Sequence, residues 1–370
     1  MHRLGMLFIL MLFFGTIAPA SAQQYRSPSR NFHSLWWVFH RNYPFFRVRK
    51  VNWIKTYRKY NAKINRRTSR KRLYCLLSEM LDQLKDGHVS LHSYEFDKDD
   101  CRSYKVRKEP SLDWDELGSQ IADYQLDNEE DYLDGSIRWG RLKKDKRVGY
   151  IQINELEDLD NCGALRKLQR SSSKDDSFSC DSLSNEEAAG LAMKYILRDM
   201  KGTTGLILDL RLNGGGEDDA ALAMLQHFNN KRRLAFTKQE LDFGRLKSPE
   251  RYYIEPKAKP YSKPVMVLIS KQTQSAAEVM ALAARQVPTM TLIGSRTQGI
   301  LSNLSWAFLP IGWWYTYSDE TYYSPYGKVY EKVGIPPNVR IKYPRDLRKL
   351  YKALNSRKDK AIDKALLLLK

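Results

Sequence analysis

Apolar and polar positions divide the chain into stretches of different period. At the start, MHRLGMLFILMLFFGTIAPASAQQ sets an apolar run from Met6 to Phe14 between basic Arg3 and the small residues Ala20-Ser21-Ala22. This is the pattern of a secretory leader, residues 1–22, cleaved after Ala22. The run falls short of the roughly 20 apolar residues that span a bilayer, so an exported mature protein is expected. Helical spacing follows. The segment NFHSLWWVFHRNYPFF carries close-set aromatics up to Pro44, and TSRKRLYCLLSEMLDQLKDG aligns Leu73, Leu76, Leu77, Met80, Leu81 and Leu84 on one face before Gly87. Residues 23–90 therefore predict a helical subdomain, with Trp36, Trp37 and Trp53 in its core. Residues 91–147 are polar and weakly periodic and read as an irregular or β connecting segment. One hairpin is expected there about LDGSIRWGRL, with Asp134-Gly135 at the turn.

From Val148 short apolar runs alternate with amphipathic ones. VGYIQI, GLILDLRL, PVMVLIS and TMTLIGS read as buried strands, and NEEAAGLAMKYILRDM, EDDAALAMLQHF and SAAEVMALAARQV as helices. Such alternation predicts a layered α/β core over residues 148–345. The Ser-, Asp- and Cys-rich stretch 157–186 reads as a surface excursion. LSWAFLPIGWWYTYSDETYY is β-rich, and its Trp306, Trp313 and Trp314 are assigned to a packed β-core. Residues 346–370 read as a C-terminal helix.

Charge changes the picture little. Lys and Arg number 62 against 43 Asp and Glu, a net +19, or +18 without Arg3. In an exported chain this excess does not call for nucleic acid, and runs as short as Arg66-Arg67 and Lys143-Lys144 read as a solvated cationic face with weak attraction to anionic envelope surfaces. Cys75, Cys101, Cys162 and Cys180 admit three complete pairings, and proximity favours Cys75 with Cys101 and Cys162 with Cys180. Cys75, set in LYCLL, also reads as a free buried thiol.

Two strand-to-helix corners carry candidate chemistry. At KQTQSAAEVMALAARQ, Ser275 and Glu278 have capping-box spacing, which accounts for both residues without any catalysis. The same corner would set Ser275 at a helix N-terminus, where backbone N–H groups and the dipole stabilise charge developing on an oxygen. At GLILDLRLNGGGED, Gly214, Gly215 and Gly216 permit a tight turn and close backbone approach, and no phosphate-loop Lys-Ser/Thr follows. A serine nucleophile needs a base, and the mature chain offers His33, His40, His88, His92 and His227. His88 follows a helix end in LKDGHVSL. His88 and His92 lack a third ligand, so neither a metal nor another cofactor is expected.

GLILDLRLNGGG, TQSAAE, TLIGSRTQGILSN, YEKVGIPPNV and LKDGHVSL together resemble the S41 family of serine peptidases. The resemblance covers nearly all of the mature chain and implies a layered ClpP/crotonase-like α/β peptidase core with an N-terminal helical subdomain. It implies Ser275 as nucleophile, His88 as general base and Glu331 as the carboxylate orienting the imidazole, with Glu320 as the alternative acid. Oxyanion donors would be the N–H groups of Ala276 and of Gly214 or Gly215, and Glu278 would cap its helix. Ile300 stands where the processing-protease branch has a lysine base, so a tricorn-like Ser-His-Glu arrangement is implied. Gly87 replaces the auxiliary serine of the tricorn site, and the stretch after His88 is too short for a PDZ domain. The implied activity is hydrolysis of unfolded or flexible polypeptide segments through an acyl-enzyme. Two rivals predict differently: a non-catalytic binding module for an apolar ligand or peptide, and a cationic envelope scaffold whose binding weakens with salt.

Overall fold

A computed structural model describes residues 27–101, 103–105, 111–170, 179–180, 182–344 and 346–370. The expected leader and cleavage site lie outside these residues, as does part of the Ser-rich excursion. In chain order the helices α1 (Pro28–Asn42), α2 (Phe46–Arg49), α3 (Trp53–Asn61) and α4 (Arg70–Asp82) precede β1 (Ser90–His92). Next come α5 (Trp114–Gln125), β2 (Leu126–Tyr132), β3 (Ile137–Leu142), β4 (Asp145–Ile153), α6 (Cys162–Arg170) and α7 (Asn185–Asp199). The alternation continues through β5 (Gly205–Asp209), α8 (Asp218–Gln226), β6 (Arg233–Asp242), β7 (Arg245–Leu246), β8 (Glu250–Ile254), β9 (Val265–Ile269), α9 (Ala276–Ala284) and β10 (Met290–Gly294). Last are β11 (Leu304–Phe308), β12 (Trp314–Ser318), β13 (Glu320–Tyr323), β14 (Val339–Arg340), α10 (Leu347–Leu354) and α11 (Lys360–Leu368).

These elements form two compact units. One comprises the described residues before 109 with Leu241–Arg245 and Leu304–Asp319, and the other comprises the remainder. In the first unit Ser69 starts α4 by accepting the Arg72 N–H on its side chain. The predicted stripe from Leu73 to Leu84 is buried in one cluster with Phe32, Phe39 and Trp53. Trp37, 52% exposed, does not join that core. A disulfide joins Cys75 to Cys101, so Cys75 is not a free thiol. The unit's antiparallel sheet has the order β1–β12–β11. Trp313 is buried as expected, whereas Trp306 is 63% exposed, which removes it from the expected β-core.

The second unit is built on a seven-stranded sheet of order β14–β10–β9–β5–β4–β3–β2. β4, β5, β9, β10 and β14 run parallel, and β2 and β3 are antiparallel additions at one side. GLILD and VMVLI are buried at every position, as parallel strands covered on both faces require. α7, α8 and α9 supply one apolar cluster, and α5, α10 and α11 another. The layered α/β class is thus as read. The second half of residues 91–147 is more regular than the irregular or β reading: the helix α5 forms there, and β2 and β3 extend the sheet. The charged alternation of β2, LDNEEDY, suits an exposed edge but hides its period in a hydrophobicity scan. The hairpin between β2 and β3 does turn at Asp134-Gly135, both at positive φ. The tail forms two helices rather than one, because Asp359 caps a new start at α11. Cys162 and Cys180 are also bonded.

Candidate active site

β5 and β9 are neighbouring parallel strands, so the chain leaves their carboxyl ends at adjacent points for α8 and α9. In open α/β sheets ligands bind beyond such ends. Three hydrogen bonds stitch the two corners together. Gln274 N–H donates to the Asn213 carbonyl at 3.0 Å, Thr273 Oγ1 donates to the Leu210 carbonyl at 2.7 Å, and Ser270 Oγ donates to the Arg211 carbonyl at 2.6 Å.

Ser275 occupies the N-cap of α9 with φ 49° and ψ −125°. Ala277 N–H donates to the Gln274 carbonyl at 2.9 Å, which closes a tight turn with Ser275 as its first central residue. This is type II′ geometry, dominated by glycine, and a serine held there is strained. The serine side chain makes no capping hydrogen bond, which corrects the capping-box expectation. Glu278 keeps half of the box, since the Ser275 N–H supports its carboxylate. Its larger role is different: fully buried, it also accepts from Thr297 Oγ1 and, at 2.8 Å each, from the N–H groups of Gly299 and Ile300. Burial pushes this carboxyl up to about 7 against hydrogen bonds that favour its ionised form.

The glycine loop lies against the serine. Gly215 has φ +119°, and a Cβ added there would stand 2.7 Å from Ser275 Cβ. Its N–H donates to Asn213 Oδ1 at 2.8 Å and its carbonyl accepts from Leu156 N–H at 2.8 Å, which fixes the loop. A Cβ on Gly214 would meet nothing within 4 Å. Below the loop, Arg211 is wholly buried between Asp209 and Asp359, and Tyr150 OH donates to Asp209 at 2.6 Å. The start of α11 is thereby tied to the base of the glycine loop, and the neighbouring carboxylates hold the guanidinium well above its ordinary range in spite of burial.

Glu331 is 2% exposed and accepts the Leu301 N–H at 2.8 Å. The segment 297–301 is therefore held by two buried carboxylates, Glu278 on one side and Glu331 on the other. Lys332 N–H donates to the Gly299 carbonyl at 2.7 Å in the same strapping. Ile300, in the place of the absent lysine base, is 6% exposed. Glu320, the alternative acid, lies 3.7 Å from Lys238, which also pairs with Asp218 at 2.8 Å.

His88 belongs to the first unit and is 5% exposed. Its backbone is clamped at both ends: its N–H donates to Asp86 Oδ1 at 3.0 Å, and its carbonyl accepts from Thr316 Oγ1 at 2.7 Å. Asp86 is itself buried and accepts from Tyr43 OH at 2.8 Å and Ser318 Oγ at 3.1 Å, with Arg49 at 3.7 Å. The other histidines have separate settings. His33 contacts Asn61 and Tyr57, His40 stacks on Trp36, and His92 stacks on Trp314. His227 is half-buried near Lys257, and desolvation lowers its ring to about 4.

The structure thus places Ser275, Ala276, Gly214, Gly215 and Glu331 in the second unit and His88 in the first. Asp86, Arg211 and the wider role of Glu278 were missed from sequence; their only trace is that they are the acid or base within DGH, DLR and SxxE. A cavity of about 760 Å³ is lined by Asp131, Tyr132, Trp139, Lys167 and Tyr195 and holds none of the corner residues.

A family model described as peptidase family S41 matches residues 147–341, and one described as the tricorn protease C1 domain matches residues 25–82. A carboxy-terminal-processing protease of Bartonella bacilliformis is 29% identical over 144 residues, 38% of this chain and 31% of that protein. The carboxy-terminal processing protease CtpA of Bacillus subtilis is 38% identical over 101 residues, 27% of this chain and 21% of that protein. The chain therefore spans a third or less of these relatives' length. Among solved structures, one from Parabacteroides merdae has a TM-score of 0.69 at 22% identity, covering 93% of this chain and 96% of the other. The photosystem II D1 C-terminal processing protease has a TM-score of 0.52 at 17% identity, covering 90% and 98%. At such identities these likenesses concern the fold alone.

Proposed function

The chain belongs to peptidase family S41, and on that membership we propose that it is an exported serine endopeptidase acting on unfolded or flexible polypeptide segments through Ser275, His88 and Glu331. The observation that carries this reading is the strained turn at Ser275, which holds a serine in a glycine conformation at the start of a helix and against the glycine loop. Ser275 attacks the scissile carbonyl as His88 takes its proton, and water then hydrolyses the acyl-enzyme. Ala276 and Gly214 supply the oxyanion N–H groups. Gly215, whose N–H is engaged by Asn213, contributes by lacking a Cβ. Glu331 rather than Glu320 orients the imidazole; its burial and the engagement of Glu320 with Lys238 support that choice. No helix among the described residues is long and apolar enough to cross a membrane.

The test is to incubate the mature protein with an unfolded protein at neutral pH and map new termini by mass spectrometry, beside Ser275→Ala, His88→Ala and Glu331→Gln. Cleavage lost in Ser275→Ala and His88→Ala and strongly reduced in Glu331→Gln is the expected result. Cleavage that survives Ser275→Ala refutes the nucleophile, and unchanged turnover in Glu331→Gln refutes the orienting acid.

A further inference from the structure

The sheet β1–β12–β11 has two unlike faces. Residues paired across antiparallel strands share a face, so the registers Ser90–Thr316–Trp306 and His92–Trp314–Phe308 define one of them. The opposite face, with Leu91, Tyr315 and Ala307, packs on the aromatic core of the first unit. On the outer face the His92 ring lies parallel to Trp314 at 3.7 Å, and Trp306 meets Phe308 edge to face at 5.4 Å. Leu304, Trp306 and Phe308 are 47%, 63% and 60% exposed.

β11 is also the edge of this sheet. Leu309 N–H donates to the Trp313 carbonyl at 2.7 Å, which assigns the odd-numbered positions to the ladder with β12. In an antiparallel pair the N–H and C=O of one residue point the same way and alternate along the strand. The N–H and C=O groups of Leu304, Trp306 and Phe308 therefore point away from β12, beside their own exposed side chains. This is the arrangement an extended chain needs to add a strand: backbone hydrogen bonds for affinity and alternate apolar side chains for selection.

We propose that the outer edge and aromatic face of β11 bind an extended polypeptide with apolar side chains at alternate positions, added as a fourth strand to the sheet. This deepens the endopeptidase reading and rests on it for the identity of the polypeptide as substrate. Two observations select this occupant. With about 200 Å² for an aromatic side chain, the three exposed side chains offer roughly 300 Å², well below the ~800 Å² per partner of a stable dimer. Neither register row on that face contains Lys or Arg in a chain of net +19, so it is not built for an anionic lipid surface. The sheet is continuous with the proposed base, since His88 precedes β1 by two residues and its carbonyl is bonded by Thr316 of β12.

The probe is a neutral, labelled 12-residue peptide of alternating valine and threonine, titrated by fluorescence anisotropy into full-length Ser275→Ala protein. Its backbone N-methylated counterpart, which cannot pair, is the control. Trp306→Ala added to this protein is expected to raise Kd about tenfold or more, as loss of a central aromatic anchor does. Trp306→Pro removes the outward N–H as well while sparing the ladder to β12, and is expected to weaken binding further. Equal binding of the N-methylated peptide overturns the proposal, as does a Kd within twofold in Trp306→Ala with an unchanged melting point. A Trp306-dependent dimer in sedimentation that excludes the peptide also overturns it, in favour of a second copy on that edge. Hydrolysis separates the two readings. If the parent cleaves unfolded protein and Trp306→Ala leaves KM unchanged, this inference falls and the peptidase stands. If no cleavage occurs but peptide binding depends on Trp306, the peptidase falls and the strand site stands.

Discussion

Ser275 should pay for its position in stability, and the cost is measurable by comparing Ser275→Gly with Ser275→Ala. Both variants lose the hydroxyl and whatever it bonds, so their difference isolates the backbone and one methyl group. A non-glycine residue held in a sparsely populated conformation costs about 1–3 kcal/mol, and φ 49° with ψ −125° is such a conformation. Glycine releases that strain but gains freedom in the unfolded chain worth about 0.5–1 kcal/mol. Loss of a half-buried methyl removes roughly 0.4 kcal/mol more. Taking about 2 kcal/mol for the strain, Ser275→Gly comes out about 0.5–1 kcal/mol more stable than Ser275→Ala. At roughly 2–4 °C per kcal/mol for a unit of this size, calorimetry should show the glycine variant melting about one to four degrees higher. Neither variant should cleave unfolded protein. A glycine variant that melts at or below the alanine variant would show that the turn is unstrained in the free protein, and the principal support for Ser275 as a preorganised nucleophile would be lost.

Gly215→Ala is expected to abolish cleavage and to cost a few kcal/mol, since its φ of +119° is strained for alanine and its Cβ would stand 2.7 Å from Ser275 Cβ; denaturant melts and peptide turnover check both. Arg211→Met leaves Asp209 and Asp359 buried without their cation and should destabilise by about 3–5 kcal/mol, whereas Asp359→Asn, which leaves the Arg211–Asp209 pair, should cost less in the same melts. Glu278 sets a pH dependence. Its folded carboxyl is raised to about 7 from an ordinary 4.5, so its contribution is fully present below the ordinary value and is lost as pH rises through 7. The loss is on the order of 3 kcal/mol, and Glu278→Gln, which cannot ionise, should flatten the fall in denaturant midpoint between pH 5 and pH 8.

What was legible in the sequence was local, and what was not depended on distant partners. GLILDL before glycines and PVMVLIS before SAAE announce two corners because a buried parallel strand and the turn after it leave their marks within a dozen residues. Asp86 looks like any helix-end acid until Ser318, 232 positions away, supplies its hydrogen bond. Arg211 meets one carboxylate locally, Asp209, but the second that offsets its burial, Asp359, lies 148 positions on. β11 failed for another reason. In LSWAF the strand places Ser305 and Ala307 toward the interior and Leu304, Trp306 and Phe308 outward, the reverse of the pattern that assigned these aromatics to a core. Leaving a large apolar side chain in water forgoes roughly 1.5–3 kcal/mol of burial, and an open edge adds the hazard of uncontrolled pairing. A fold that has already covered Tyr315 on the neighbouring strand and Trp313 just before it does not lack the means to bury aromatics. The inverted strand is better accounted for by burial deferred until an extended chain lies along it, and the same exposed side chains that misled the pattern reading then become the means by which such a chain is held.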